Sequence, residues 1–183
     1  EAFDTPGLWE MLNEQVKAGK VRALGISIRT PGRPGDNLYQ VEAATRVGAS
    51  VIQVVYNRLH RAPEEDVFPS CMRQNLGVLA RVPLASGFLS GKYTEGAQFP
   101  KNDVRSNRDQ EQIRRTIAQV QRIRDEEVPP DVPMSQWALA WTLQHPAVTC
   151  VIPGCKSVQQ VEENARAADL EMVSDSHPQA AKG

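Results

Sequence analysis

The chain has 183 residues, with 21 basic and 22 acidic side chains and a formal net charge of −1. That balance excludes the basic excess on which nucleic-acid binding rests, since no segment gathers Lys and Arg on one face. Hydrophobic residues make up 40%, enough for a folded domain, but the most apolar stretch, Gly77 to Leu89, is broken by Arg81 and Pro83 and falls short of the roughly 18 residues a membrane-spanning helix needs.

Leu8, Leu12 and Val16 recur every four residues behind Thr5-Pro6, where Thr can cap a helix and Pro can open it; Gly19 closes the element. Val21–Ser27 follows as a short apolar, β-branched run that reads as a strand. A weaker helical pattern from Asp36 to Val47 leads to a second strand at Val51–Tyr56. Another, Glu64 to Gln74, entered from Pro63, leads to a third strand at Val78–Val82. Thr94 to Asn107 is rich in Gly, Pro and Asn and predicts a long loop over one end of a sheet. Ile113, Ile117, Val120 and Ile123 form one apolar face in a charged segment, as a surface helix does.

Met134 to Gln144 sets Trp137, Ala138 and Trp141 at helical spacing and stops at His145-Pro146. Val148–Pro153 is the fourth strand, and Ser157 caps a last helix running to Ala168. Residues 171–183 have no periodicity and are expected to form a disordered tail. Strands alternating with helices predict an α/β fold with a parallel sheet and right-handed crossovers. Near-continuous apolar strands predict cover on both sheet faces, by helices or by closure into a barrel.

Cys71, Cys150 and Cys155 are odd in number and lack CxxC spacing, so no disulfide framework and no metal site is expected. They read as small buried apolar side chains in a protein of the reducing cytoplasm.

Ligands of parallel α/β folds gather at the carboxyl ends of the strands. The first strand ends at Ser27, the second carries Gln53 and ends at Tyr56-Asn57, and the third carries Arg81 and runs into Pro83–Lys92. A glutamine in an apolar strand needs hydrogen-bond partners, which a ligand amide or the backbone can supply. The fourth ends in Gly154-Cys155-Lys156-Ser157 and opens a helix. Glycine, free helix N–H groups, a cation and a hydroxyl together suit a phosphate; the same residues also describe a capped strand-to-helix turn, and neither a Walker loop nor GxGxxG spacing is present. Tyr56, His60, His145 and the Trp pair read as packing residues, and no Ser-His-Asp, Cys-His or HExxH arrangement is legible.

The strings Gly19-Lys-Val-Arg-Ala-Leu-Gly-Ile-Ser27, Val54-Val-Tyr-Asn57, Pro83-Leu-Ala-Ser-Gly-Phe-Leu-Ser-Gly-Lys-Tyr93, Asp103-Val-Arg105, Ala138-Leu-Ala-Trp141 and Val151-Ile-Pro-Gly154, followed by Gln160 and Glu162-Glu-Asn164, resemble the aldo-keto reductases. The resemblance implies an eight-stranded (β/α) barrel of the TIM type, of which residues 1–170 supply the C-terminal half, strands five to eight. It also implies hydride transfer between NADPH or NADH and a small aldehyde or ketone. By matching position, Ser27 and Gln53 would bind the nicotinamide carboxamide, and Leu84, Ser86 and Leu89 would lie along the pyrophosphate. Gly154, Lys156, Ser157, Gln160, Glu163 and Asn164 would hold the adenosine and its 2′-phosphate, with Lys156 favouring NADP(H) over NAD(H).

Two positions depart from the family. Ile28 stands where many members have Asn, and Arg81 where many stack an aromatic side chain on the nicotinamide; a guanidinium plane can stack there too, and Arg81 is counted by the resemblance among the cofactor-binding residues. The family's acid-base set of Asp, Tyr, Lys and His lies on the first four strands and has no match here, so no catalytic residue is assigned. The expected partners are a carbonyl substrate and the missing half of the barrel, on the same longer chain or on a pairing chain. The alternatives are a non-catalytic dinucleotide-binding subunit, as in channel-associated relatives, and an inactive fragment.

Overall fold

Four short strands carry the architecture: β1 (Leu24–Ser27), β2 (Ala49–Val55), β3 (Gly77–Arg81) and β4 (Cys150–Ile152) pair in parallel in the order β1-β2-β3-β4. They belong to a computed structural model that describes residues 2–29 and 38–170. The described residues fall into two compact units. One holds the chain up to Tyr56, His60–Arg81 and Pro146–Ile152; the other holds Asn57–Leu59, Val82–His145 and the chain from Pro153.

In the first unit, α1 (Leu8–Lys17), α2 (Leu38–Glu42) and α3 (Val67–Gln74) precede β1, β2 and β3. Side chains alternate across each strand. Ile26, Ile52, Val54, Val78 and Ala80 share one face and are buried. The Tyr56 ring, just past β2, stands edge-on to Phe68 of α3 with centroids 4.7 Å apart. Gly25 lets β1 close on β2, because a Cβ there would lie 3.2 Å from the Val51 carbonyl oxygen.

The opposite face differs. Ser27 is exposed, Val51, Gln53, Leu79 and Arg81 are half-buried, and Ile152 is exposed. Both faces of these strands are apolar enough to be covered; among the described residues the second face, apart from the buried Val55, is left partly exposed. Gln53, expected inside an apolar strand, therefore sits on an accessible surface.

Strands β1 and β4 start later than predicted, since residues 21–23 and 148–149 precede them, whereas β2 and β3 start and end earlier, at Ala49–Val55 and Gly77–Arg81 rather than Val51–Tyr56 and Val78–Val82. Thr5-Pro6 does not open α1. Gly7 occupies the N-cap in a left-handed conformation (φ 75°) with no side-chain cap, and its carbonyl accepts the Met11 N–H. Helix α3 starts later than Glu64 because Asp66, a better cap, accepts the Val67 N–H at 2.6 Å. The predicted helix from Asp36 is a short α2 followed by a 3-10 turn at Thr45–Val47, and residues 36–37 lie outside the described residues. So does the expected disordered tail, 171–183.

The second unit holds α4 (Gln110–Glu127), α5 (Met134–Leu143) and α6 (Val158–Ala165). Ile113, Ile117, Val120 and Ile123 are the buried residues of α4, as their spacing predicts. Helix α5 buries seven of its ten residues, Trp137 and Trp141 among them, which fits a helix apolar all round. Arg58 closes on Glu127 at the end of α4 in a two-pronged ion pair of 2.5 and 2.9 Å. Of the cysteines only Cys71 is buried; Cys150 is half-buried and Cys155 exposed, against the expectation for all three. Burial pushes the Cys71 thiol up to about 12.

Candidate functional site

In the first unit the polar residues of the open sheet face lie at the carboxyl ends of the strands. Register places Ser27, Gln53, Leu79 and Cys150 on one rung and Val55, Arg81 and Ile152 on a later one. Gln53 Nε2 donates to Ser27 Oγ at 3.0 Å. That bond leaves the serine O–H as a donor and the glutamine Oε1 as an acceptor, side by side. A primary carboxamide, with its own NH₂ and carbonyl oxygen, is the complementary shape.

The second unit holds two turns of its own. After β3 the backbone passes repeatedly through the left-handed region, at Val82 (φ 56°), Ala85 (φ 50°), Ser86 (φ 59°) and Gly87 (φ 87°). Only the last of these is a glycine, so the others store strain that the surroundings must hold. Asn57 Nδ2 donates to the Val82 carbonyl at 3.0 Å, and Ser90 Oγ to the Gly87 carbonyl at 2.7 Å. Leu89 is fully buried, and Leu84 and Ser86 are half-buried.

Arg105 and Asp103 stand in one of the family-like strings, and the sequence alone assigns them no role. Arg105 Nη1 donates to the Ser86 carbonyl at 3.2 Å and to the Tyr93 hydroxyl, and its Nη2 and Nε reach Asp103 at 2.5 and 2.8 Å. Its guanidinium carbon lies 4.8 Å from the Tyr93 ring centre and 4.3 Å from that of Phe99. The bonds from the Arg105 guanidinium and backbone N–H hold the Asp103 carboxyl well below the usual carboxylate range, and the charge of Lys156 pulls the same way. The missed signal was an arginine two residues from an aspartate beyond an aromatic-bearing loop.

The other turn leads into α6. Ser157 Oγ accepts the Gln160 N–H at 3.2 Å, and Gln160 Oε1 accepts the Lys156 N–H at 2.7 Å, a reciprocal cap that fixes the turn. Glu163 Oε1 accepts from Gln159 Nε2 at 2.7 Å, and Asn164 Nδ2 donates to Cys155 Sγ at 3.1 Å. Lys156 forms no ion pair among the described residues and is exposed beside the helix start. A Cβ on Gly154 would meet nothing within 4 Å, so the chain itself does not require glycine there.

A profile of the aldo/keto reductase family matches residues 2–182. The chain belongs to that family. An uncharacterized oxidoreductase of Mycobacterium tuberculosis is 32% identical over 176 residues, covering 93% of this chain and 50% of its own. The NADP(+) aldo-keto reductase yakc of Schizosaccharomyces pombe is 29% identical, covering 88% of this chain and 47% of its own. The solved aldo-keto reductase of Bacillus halodurans in its holo form superposes with a TM-score of 0.72 at 26% identity, covering all of this chain and 57% of that one. The chain thus spans about half the length of the curated relatives it matches.

With reductase relatives of this kind the α/β fold is of the TIM-barrel type. A nicotinamide dinucleotide, which the family implies, fits the donor set of the first unit, the carboxamide-shaped pair at Ser27–Gln53. No helix among the described residues is long and apolar enough to cross a membrane, and no cluster of metal-ligating side chains occurs among them.

Proposed function

We propose that the chain supplies strands five to eight and the dinucleotide-binding half of an NADP(H)-dependent reductase of small aldehydes and ketones. The observation that carries this reading is the Ser27–Gln53 pair, one free donor beside one free acceptor at the carboxyl ends of adjacent parallel strands. In this reading the pair orients the nicotinamide carboxamide. Leu84, Ser86 and Leu89 belong to the strained loop that lies along the pyrophosphate, with Leu89 packed beneath it. Gly154 leaves room for the adenosine side, where Ser157, Gln160, Glu163 and Asn164 shape the turn and Lys156 meets the 2′-phosphate, favouring NADP(H) over NAD(H). The bound dinucleotide would supply the hydride. The proton must come from the upstream half, since no acid-base set is assigned in this chain.

Residues 1–170 form that half-barrel in this proposal, and the open sheet face with Gln53 and Arg81 is the surface the other half would cover. A reducing cytoplasm suits an exposed thiol at Cys155. The test is NADPH oxidation by the full-length protein with a generic aldehyde, beside NADPH fluorescence quenching. Turnover with quenching supports a reductase. Quenching without turnover moves the reading to a non-catalytic dinucleotide-binding subunit, and no quenching removes dinucleotide binding altogether.

A further inference from the structure

The backbone ladder between β2 and β3 runs as far as Arg81, whose carbonyl accepts the Tyr56 N–H at 3.3 Å. One residue further a side chain takes over: Asn57 Nδ2 donates to the Val82 carbonyl at 3.0 Å. The same carbonyl accepts the Ala85 N–H at 3.0 Å, which closes the turn through Pro83. Asn57 is 2% exposed, and its Oδ1 accepts the Leu59 N–H at 3.0 Å. The Leu59 N–H can only donate and the Val82 carbonyl can only accept, so these neighbours fix which way the amide faces. Arg58, between Asn57 and Leu59, is pinned by Glu127 and lies 5.6 Å from the Trp141 ring centre. The amide therefore stands on a firm base.

What it holds is unfavourable on its own. Val82 is β-branched and takes a left-handed φ of 56°, and Ala85 and Ser86 follow at 50° and 59°. Strain of this kind persists only where the surroundings hold it, and it gathers where a ligand needs a shape ready-made. A plain connecting turn would carry glycine at such positions, and in the run from Val82 to Gly87 only the last residue is one. We propose that Asn57 is a positioning residue for the dinucleotide: its amide fixes the first turn of the loop after β3, so that the loop has its binding shape before the cofactor arrives. The proposal rests on the reading in which that loop lies along the pyrophosphate. Asn57 acts through Val82 and not by touching the cofactor; without its donor, the cost of ordering the loop falls on binding.

The test compares wild type with N57D in the full-length protein. Aspartate has the same shape, keeps the Oδ1 that meets Leu59, and sets an acceptor against the Val82 carbonyl. Calorimetric titration should show NADPH and NADH weakened alike by about tenfold or more, since both carry the pyrophosphate. Adenosine 2′,5′-bisphosphate, which has the adenosine side without the pyrophosphate bridge, should bind N57D as it binds wild type. Equal losses for all three ligands, a loss confined to one dinucleotide, or no loss at all overturns the proposal and leaves the reductase reading in place. Wild type that binds neither NADPH nor NADH overturns that reading and the proposal with it. Should N57D not fold, hydrogen exchange of the Asn57 side-chain amide in wild type decides the matter. Protection already complete without NADPH supports the pre-set loop, and protection that develops only with NADPH overturns it.

Discussion

The two polar regions are built in opposite ways. At the strand ends, Ser27 and Gln53 meet because parallel register aligns them; no other side chain is needed to hold them, and both keep hydrogen-bonding capacity for a ligand. In the loop after β3, a left-handed run is held by Asn57 from before it and by Arg105 from well after it, so its shape depends on residues that are remote in sequence. A site set by register resists distant substitution. A site set by a clamp does not.

The largest break in that contrast should come from R105A, which removes the bonds to Ser86, Tyr93 and Asp103 together. NADPH affinity should fall about tenfold or more by fluorescence titration while the far-UV spectrum holds. An unchanged affinity would show that the loop keeps its shape without the clamp.

G87A should do less. Its φ of 87° favours glycine, and a Cβ would lie 3.3 Å from Arg105 Nη1, so chemical denaturation should show a loss of about 1–2 kcal/mol. A neutral result would mean that the loop relaxes freely, which a clamp forbids.

The smallest effect is in pH. Hydrogen bonding to Arg105 depresses the Asp103 carboxyl in the folded protein, so the stability it contributes is complete above the ordinary carboxylate range of about 4 and is lost only as pH falls through its lower folded value. The gap in melting temperature between wild type and D103N should therefore stay constant from pH 6 to 8, begin to narrow only below about pH 4, and close as pH falls on toward the lower folded value. A gap that opens across neutral pH would assign the depression to some other group.

How much of this was legible in the chain follows from the same contrast. The four strands showed as β-branched runs between helical patterns, and the Ser157–Gln160 cap showed in the serine opening the last helix, because both signals are local. Gln53 stood out as a polar residue in an apolar strand, but its exposure did not. Which face is covered depends on what else packs there, and a run apolar on both faces cannot say. Arg105 stayed hidden as a clamp because its partner Ser86 lies 19 residues away and is reached through a carbonyl, which carries no side-chain signature. The cap of α1 failed for the opposite reason: Thr5-Pro6 is a good local signal that the left-handed Gly7 overrode.

In the proposed function Lys156 is the group that meets the 2′-phosphate and so separates NADPH from NADH. Calorimetric titration of the full-length protein and its K156A variant with NADPH and NADH measures it directly. The expected result is a loss of about tenfold or more for NADPH, with NADH affinity nearly unmoved. Equal losses for the two cofactors, or no loss for either, would contradict it.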